Sequence, residues 1–188
     1  MTRLVLLCAA STASLRAGAF PAAGEALDAK GREALTRLAG QFQGNRRMIL
    51  ASPALSAAQT AEGLGLRASP EPALRDCDFG RWTGRALSEI EAEQREALAL
   101  WLSDPHAAPH GGESFAEVLL RVGAWMDALP ENDAILAIAH AAVLRAAIVH
   151  AIGAPPHSLL HIDVSPLSRV RLSGGKGKWR FCGLVPLK

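Results

Sequence analysis

Three short apolar runs punctuate the chain, Leu4 to Leu7, Met48 to Ala51 and Ala134 to Ala139. Each is too short for a helix and too uniformly apolar for a half-exposed strand. Each therefore predicts a strand buried on both faces, as in a parallel sheet. Between the runs the apolar positions change to helical spacing. Asp28 reads as an N-cap, and Leu27, Leu35 and Leu38 set an apolar stripe on a helix that stops near Gly40. Ser52-Pro53 predicts a helix start with proline at its first position, ending around Gly63 and Gly65. Leu87 to Leu102 is helical in pattern, with Trp101 on its apolar side. Glu113 to Leu129 is amphipathic through Phe115, Val118, Leu119, Val122 and Met126, and Ala141 to Ile152 is an Ala-rich helix closed by Gly153. Alternating strands and helices imply parallel βαβ units. The tail, Leu159 to Leu187, reads as a hairpin turning at Gly174-Gly175.

What lies between these elements reads as loop. Arg16 to Leu27 is irregular, Ala68 to Leu74 is a connector punctuated by proline, and Asp76 to Gly84 is compact. Ser103 to Gly112, with two prolines and two histidines, is a second long loop. Three segments follow strand ends: Cys8 to Ser14, Ser52 to Ser56, and His140. In open α/β sheets ligands bind beyond the carboxyl ends of strands, so these segments mark the expected site. Asp76 to Gly84 and His110 to Ser114 are the long loops that could cap it.

Composition narrows the classes. A chain of 188 residues without repeat, low-complexity segment or linker predicts one domain, residues 1–188, large enough for a core without disulfides or metal. Aromatics make up 5% with no tyrosine, and Lys and Arg are scattered, so a base-stacking nucleic-acid surface is not expected. Cys8, Cys77 and Cys182 are far apart with no CxxC spacing, which predicts reduced thiols and a cytoplasmic protein. A secretory signal with Arg3 as its positive region is the rival reading of Met1 to Ser14. Its apolar stretch is at the short end for one, and the strand is preferred. No apolar run reaches membrane-spanning length. Apolar surface on the Ala-rich helices and the tail hairpin would allow a homodimer.

Four segments carry a resemblance. Ala51-Ser-Pro-Ala-Leu-Ser-Ala-Ala-Gln-Thr-Ala61 is similar to S-S-P-L-x-R-A-x-Q-T-A. Leu74-Arg-Asp-Cys-Asp-Phe-Gly-Arg-Trp-Thr-Gly84 is similar to L-x-E-x-x-x-G-x-W-E-G. Gly112-Glu-Ser114, with Arg121 following, resembles G-E-S-x-x-E/D-x-x-x-R, and Ile138-Ala-His-Ala-Ala-Val-Leu-Arg145 resembles V-S-H-G-G-x-x-R. In this order and spacing the chain resembles the histidine phosphatase superfamily, its phosphoglycerate mutase-like branch. The resemblance implies a three-layer α/β/α sandwich with a mostly parallel central sheet. In that family a histidine in an R-H-G motif after the first strand attacks phosphorus. Two arginines and a second histidine hold the phosphoryl oxygens, and a carboxylate protonates the leaving group.

Carried over by position, the resemblance puts the R-H-G motif on Cys8, Ala9 and Ala10, so the nucleophile position holds Ala9. The second arginine falls on Ser56, the acid on Asp76 and the second histidine on His140, while Glu113 and Ser114 persist. The family's asparagine falls near Leu15. No histidine precedes His106, so local realignment restores no nucleophile. Alanine has no lone pair, and two lost arginine contacts at about 1.5–3 kcal/mol each would weaken phosphate binding by roughly two to four powers of ten. The expectation is a binding or regulatory module for a small molecule or protein, without cofactor or metal, contacted through Ser11, Thr12, Ser52, Glu113, Ser114 and His140.

Alternatives remain open at this point. Arg16 or Arg81 could supply the missing cation. Cys8 with His140 and Asp76 would make a Cys-His-Asp set for a divergent phosphatase or hydrolase, and His140 could itself be a nucleophile. A cysteine-phosphatase loop needs Arg six residues after the cysteine, where Ser14 stands. No ligand spacing supports a metal on Cys8, Asp76 and His140. His106 and His110 are expected to be exposed, His150, His157 and His161 structural or on the surface, and Trp82, Trp101 and Trp125 in the core.

Overall fold

The computed structural model describes residues 1–40 and 48–186. Leu187, the end of the predicted tail, lies outside them. A single sheet organises the chain. Its strands are β1 (Thr2–Cys8), β2 (Met48–Ala51), β3 (Ser69–Pro70), β4 (Ala134–Ala139), β5 (Ser168–Gly174) and β6 (Arg180–Pro186), in the order β3-β2-β4-β1-β5-β6. The β2–β3, β2–β4 and β1–β4 pairs are parallel, whereas β5 and β6 extend the sheet antiparallel from β1.

The helices are α1 (Ala13–Arg16), α2 (Ala29–Leu38), α3 (Leu55–Gly63), α4 (Leu87–Glu93), α5 (Arg95–Ser103), α6 (Phe115–Asp127) and α7 (Ala141–Ile152). Strand alternation explains the layering. Leu4, Leu6 and Cys8 of β1 and Ile135, Ala137 and Ala139 of β4 pack on the face covered by α4 to α7. Leu7 with Leu136 and Ile138 packs on the opposite face, against Leu35 and Leu38 of α2 and Ala57 and Ala61 of α3. Both faces of the central strands are thereby buried, which is why their sequence is apolar without alternation.

Several boundaries differ from the sequence pattern. α3 begins at Leu55 with Ala54 at its N-cap, because Ser52 is still hydrogen-bonded to the sheet through its N–H to the Ile138 carbonyl, 2.8 Å. The helix expected over Leu87 to Leu102 is broken at Gln94, whose φ of −137° and ψ of 40° are not helical. The Gln94 side chain there accepts the Trp82 indole N–H at 3.0 Å. The connector before Asp76 contains the two-residue edge strand β3, and α1 follows Thr12, whose side chain caps it. Asp28 caps α2 and Gly153, at φ 65°, closes α7, both as expected.

The two long loops lie directly against each other. A Cβ on Gly112 would stand 2.0 Å from the Asp78 carbonyl oxygen, and one on Gly80, at φ 48°, would stand 2.3 Å from that of His110. Only glycine permits this approach. His110 is consequently buried at 1% exposure rather than exposed as its proline-rich surroundings suggested, while His106 is exposed.

On the far side of α6, Asp127 joins three elements. One carboxylate oxygen accepts from His150 Nε2 on α7 at 3.1 Å, from the Gly177 N–H at 2.9 Å and from Trp179 Nε1 at 2.9 Å. Partial burial would raise the Asp127 pKa, but the three donors outweigh it and hold the carboxyl below its ordinary range. The folded value lies below the unfolded one, so this contribution is present above the unfolded value and is lost as pH falls through the folded one. Asp127→Ala is expected to lower stability near pH 7 by about 1–3 kcal/mol. The difference between the two proteins, measured by urea unfolding, should shrink below the ordinary carboxylate range.

Candidate functional site

Parallel register places the site. Cys8 of β1 pairs with Ala139 of β4, and Ala51 of β2 pairs with Ile138. The next residue of each strand is then Ala9, His140 and Ser52, and backbone bonds fix that row: Ala9 N–H to the Ala139 carbonyl at 2.7 Å and Ser52 N–H to the Ile138 carbonyl at 2.8 Å. A cavity of about 830 Å³ opens beyond these strand ends. Cys8, Ala9, Ser11, Thr12, Ser56, Asp76 and His140 line it, which brings together most of the residues singled out from the sequence.

His140 occupies the N-cap position of α7, and its ring is held from two sides. Nε2 lies 2.9 Å from Ser52 Oγ, and Nδ1 faces Asp76 Oδ2 at 3.7 Å. The order Ser52, His140, Asp76 is that of a serine hydrolase relay. Ser52, however, is 1% exposed and does not reach the cavity wall, and its Oγ also accepts the Ala54 N–H at 3.2 Å. Its hydroxyl orients the imidazole and has no access to a ligand.

Cys8 and Ala9 leave β1 towards opposite faces. Burial, with the Asp76 carboxylate beside it, pushes the Cys8 thiol up to about 12 against the opposing charge of Arg145. The thiolate, the form that attacks electrophiles, is thereby disfavoured at neutral pH. Cys77, the other buried thiol, is pushed up by burial and by Asp76 and Glu113.

The loop after β1 and the segment before α2 are held by Thr60 and Gln59 of α3. Thr60 Oγ1 accepts the Ala10 N–H at 3.0 Å and donates to the Ser56 carbonyl at 2.7 Å. Gln59 Oε1 accepts the Leu27 N–H at 2.9 Å. Ser11 Oγ donates to Asp28 Oδ1 at 2.9 Å, and Arg16 donates to Ser11 and pairs with Asp28 at 2.5 Å. Burial would raise the Asp28 pKa, but the Gly31 N–H, Arg16 and Ser11 outweigh it and lower it.

Of the two arginines proposed as replacement cations, Arg16 lines the cavity with its charge engaged by Asp28. Arg81 is absent from the wall and donates to the Pro109 carbonyl. Arg75 reaches the cavity paired with Glu113 at 2.6 Å. Glu113 also receives both Arg121 nitrogens at 2.9 Å, and Ser114 caps α6 in a reciprocal pair with Glu117. Glu113 and Ser114 thus brace the loops from outside the cavity wall. Among the described residues no cluster of three or more potential metal ligands occurs.

Arg145, which closes the strand-end motif around His140 and was assigned no site role from the sequence, is a further cation at the cavity. It sits one helical turn after Ala141, so Ala141, Ala142 and Arg145 share the face of α7 that lines the cavity. Its Nε is buried without a hydrogen-bond partner, and among the described residues no carboxylate pairs with the guanidinium. Its charge is felt at the Cys8 thiol. The spacing from His140 was the available signal. A second missed feature is aromatic: Phe20, Phe79, Trp101 and Phe115 also line the cavity. Behind them are Trp82 and His110, the latter lowered in pKa by burial, with Asp78 opposing and Arg81 adding. Trp101 Nε1 and His110 Nε2 have no hydrogen-bond partner, a cost of about 1–3 kcal/mol each if nothing compensates. Their rings stand edge-on to one another at 74°.

Comparison with known proteins shows the same fold. Over 118 residues the chain is 31% identical to a bifunctional protein of Mycobacterium tuberculosis, a match that takes in 60% of this chain and only 32% of that relative's length. The alpha-ribazole phosphatase from Shigella flexneri superposes with a TM-score of 0.82 at 25% identity, covering 97% of this chain and 96% of that one. A histidine-to-alanine mutant of phosphoserine phosphatase from Entamoeba histolytica, in complex with phosphoserine, gives a TM-score of 0.86 at 20% identity over 98% of this chain and 97% of that one. The sequence profile of the histidine phosphatase superfamily (branch 1) matches residues 4–185, nearly the whole chain, and the protein belongs to that superfamily.

Proposed function

We propose that this member of the superfamily binds a small phosphate-bearing anion at the strand ends without forming a phosphohistidine, and acts as a binding or regulatory module. What supports the reading is Ala9, which has no heteroatom, at the position that the sequence resemblance assigns to the family's nucleophile, beside a Cys8 thiol whose pKa burial raises. His140 does not take over the role in this reading, because its Nε2 is engaged by Ser52 and its Nδ1 faces Asp76. The same protonated thiol argues against the Cys-His-Asp alternative.

Binding keeps its support where attack does not. Arg145 brings an unpaired positive charge to the cavity next to His140, and a guanidinium recognises phosphate oxygens through charge-assisted hydrogen bonds. The Entamoeba histolytica neighbour is in complex with phosphoserine although one of its histidines is alanine, so loss of a histidine in this fold is compatible with holding a phosphomonoester. With one unpaired arginine rather than several at the cavity among the described residues, affinity for the bare anion should be low.

Calorimetry with orthophosphate and turnover of p-nitrophenyl phosphate test the reading together. Orthophosphate should bind, and Arg145→Ala should weaken it by about tenfold to a hundredfold, the range for a hydrogen bond to a charged partner. No hydrolysis should depend on the cavity. Turnover that disappears in Asp76→Asn or His140→Ala would contradict the proposal. Alkylation gives a separate check: in the folded protein at pH 7.5 iodoacetamide should label the exposed Cys182 and leave Cys8 and Cys77 unmodified. Rapid labelling of Cys8, with protection by orthophosphate, would favour the enzymatic alternative.

A further inference from the structure

The cavity has far more room than a phosphate group requires. Its volume of about 830 Å³ falls in the range of sites for whole small organic molecules, roughly 300–1,000 Å³. Asp76, His140 and Arg145 line it at the strand ends, and Arg16, Arg75, Asp78 and Thr83 line it elsewhere. Another part of its wall is aromatic. Phe20 and Phe79 stand 4.8 Å apart between ring centroids, Trp101 and Phe115 4.6 Å, and Phe20 lies edge-on to Trp101 at 5.8 Å and 77°. The rings are held from behind by the fully buried Trp82, which meets Trp101 at 87°, so the wall is preformed.

Among the described residues, the charged groups that line the cavity outside the strand-end cluster are already engaged. Arg16 pairs with Asp28, Arg75 with Glu113, and Asp78 Oδ1 accepts the Gly80 N–H at 2.8 Å. A strongly polar organic group would therefore meet charges that are already engaged there, whereas a flat apolar group would bury its surface against the rings. We infer that the aromatic wall of Phe20, Phe79, Trp101 and Phe115 is the subsite for the organic part of the ligand, and that this part is flat and apolar. The native ligand class is then an aryl or similarly apolar phosphomonoester rather than a phosphorylated amino acid. The inference rests on the anion-binding reading for its headgroup only.

The test compares orthophosphate, phosphoserine, 1-naphthyl phosphate and neutral 1-naphthol by calorimetry on the whole chain. The expectation is that 1-naphthyl phosphate binds at least about tenfold tighter than orthophosphate, and phosphoserine within about threefold of it. Phe115→Ala should remove most of the naphthyl advantage and leave orthophosphate affinity unchanged. Should that variant fail to fold, the indole N–H resonance of Trp101 in the unaltered protein serves instead. It should move with 1-naphthyl phosphate and 1-naphthol and stay in place with orthophosphate. Equal affinity for orthophosphate and 1-naphthyl phosphate, with a stationary Trp101 resonance, overturns the inference and leaves the anion reading intact. Binding of 1-naphthol as tight as that of its phosphate overturns the anion reading and supports the aromatic subsite. Binding of neither naphthyl compound overturns the inference.

Discussion

The structure depends on the hydrogen-bonded register where β1, β2 and β4 end together. The Ala9–Ala139 and Ser52–Ile138 backbone bonds set three consecutive strand exits side by side, and each exit is followed by a residue of the site. A slip of one residue in any strand would turn its site side chain to the opposite layer. Ser52 shows how tightly position and role are bound here. It remains in the ladder, so its hydroxyl meets the imidazole of His140 from beneath and has no access to the cavity. What looks like a hydrolase relay is a support for one ring.

Much of this architecture was legible beforehand, and for a definite reason. Strands buried on both faces must be apolar at every position, so Leu4 to Leu7 and Ala134 to Ala139 announce themselves even at six residues or fewer. His140 could likewise be placed because it ends a strand, whereas Asp76 was placed by the position that the family resemblance gives to its acid. The misreadings come from side chains whose partners lie far along the chain. Gln94 leaves the helix with its side chain bound to the Trp82 indole, a contact no local pattern contains. His110 is buried because Gly80 and Gly112 let two loops meet, which their polar composition conceals. Glu113 and Ser114 sit in a conspicuous motif yet are spent on Arg121, Arg75 and Glu117.

Electrostatics then separates binding from chemistry. Among the described residues three arginines reach the cavity, and two arrive with a carboxylate already in hand. Arg145 alone among these three is unpaired in the described residues, and it stands in the same neighbourhood as a thiol kept neutral by burial and by Asp76. Positive charge without an available nucleophile favours holding an anion over cleaving it. The aromatic wall extends the argument from the headgroup to the rest of the ligand.

Phosphorus NMR of the protein mixed with excess phenyl phosphate reports on that separation most directly. The account predicts a ligand resonance that shifts and broadens with protein, no orthophosphate accumulating, and no phosphorus signal retained by the protein after gel filtration. A protein-bound, acid-labile phosphoryl signal, or orthophosphate released in proportion to enzyme, would contradict it.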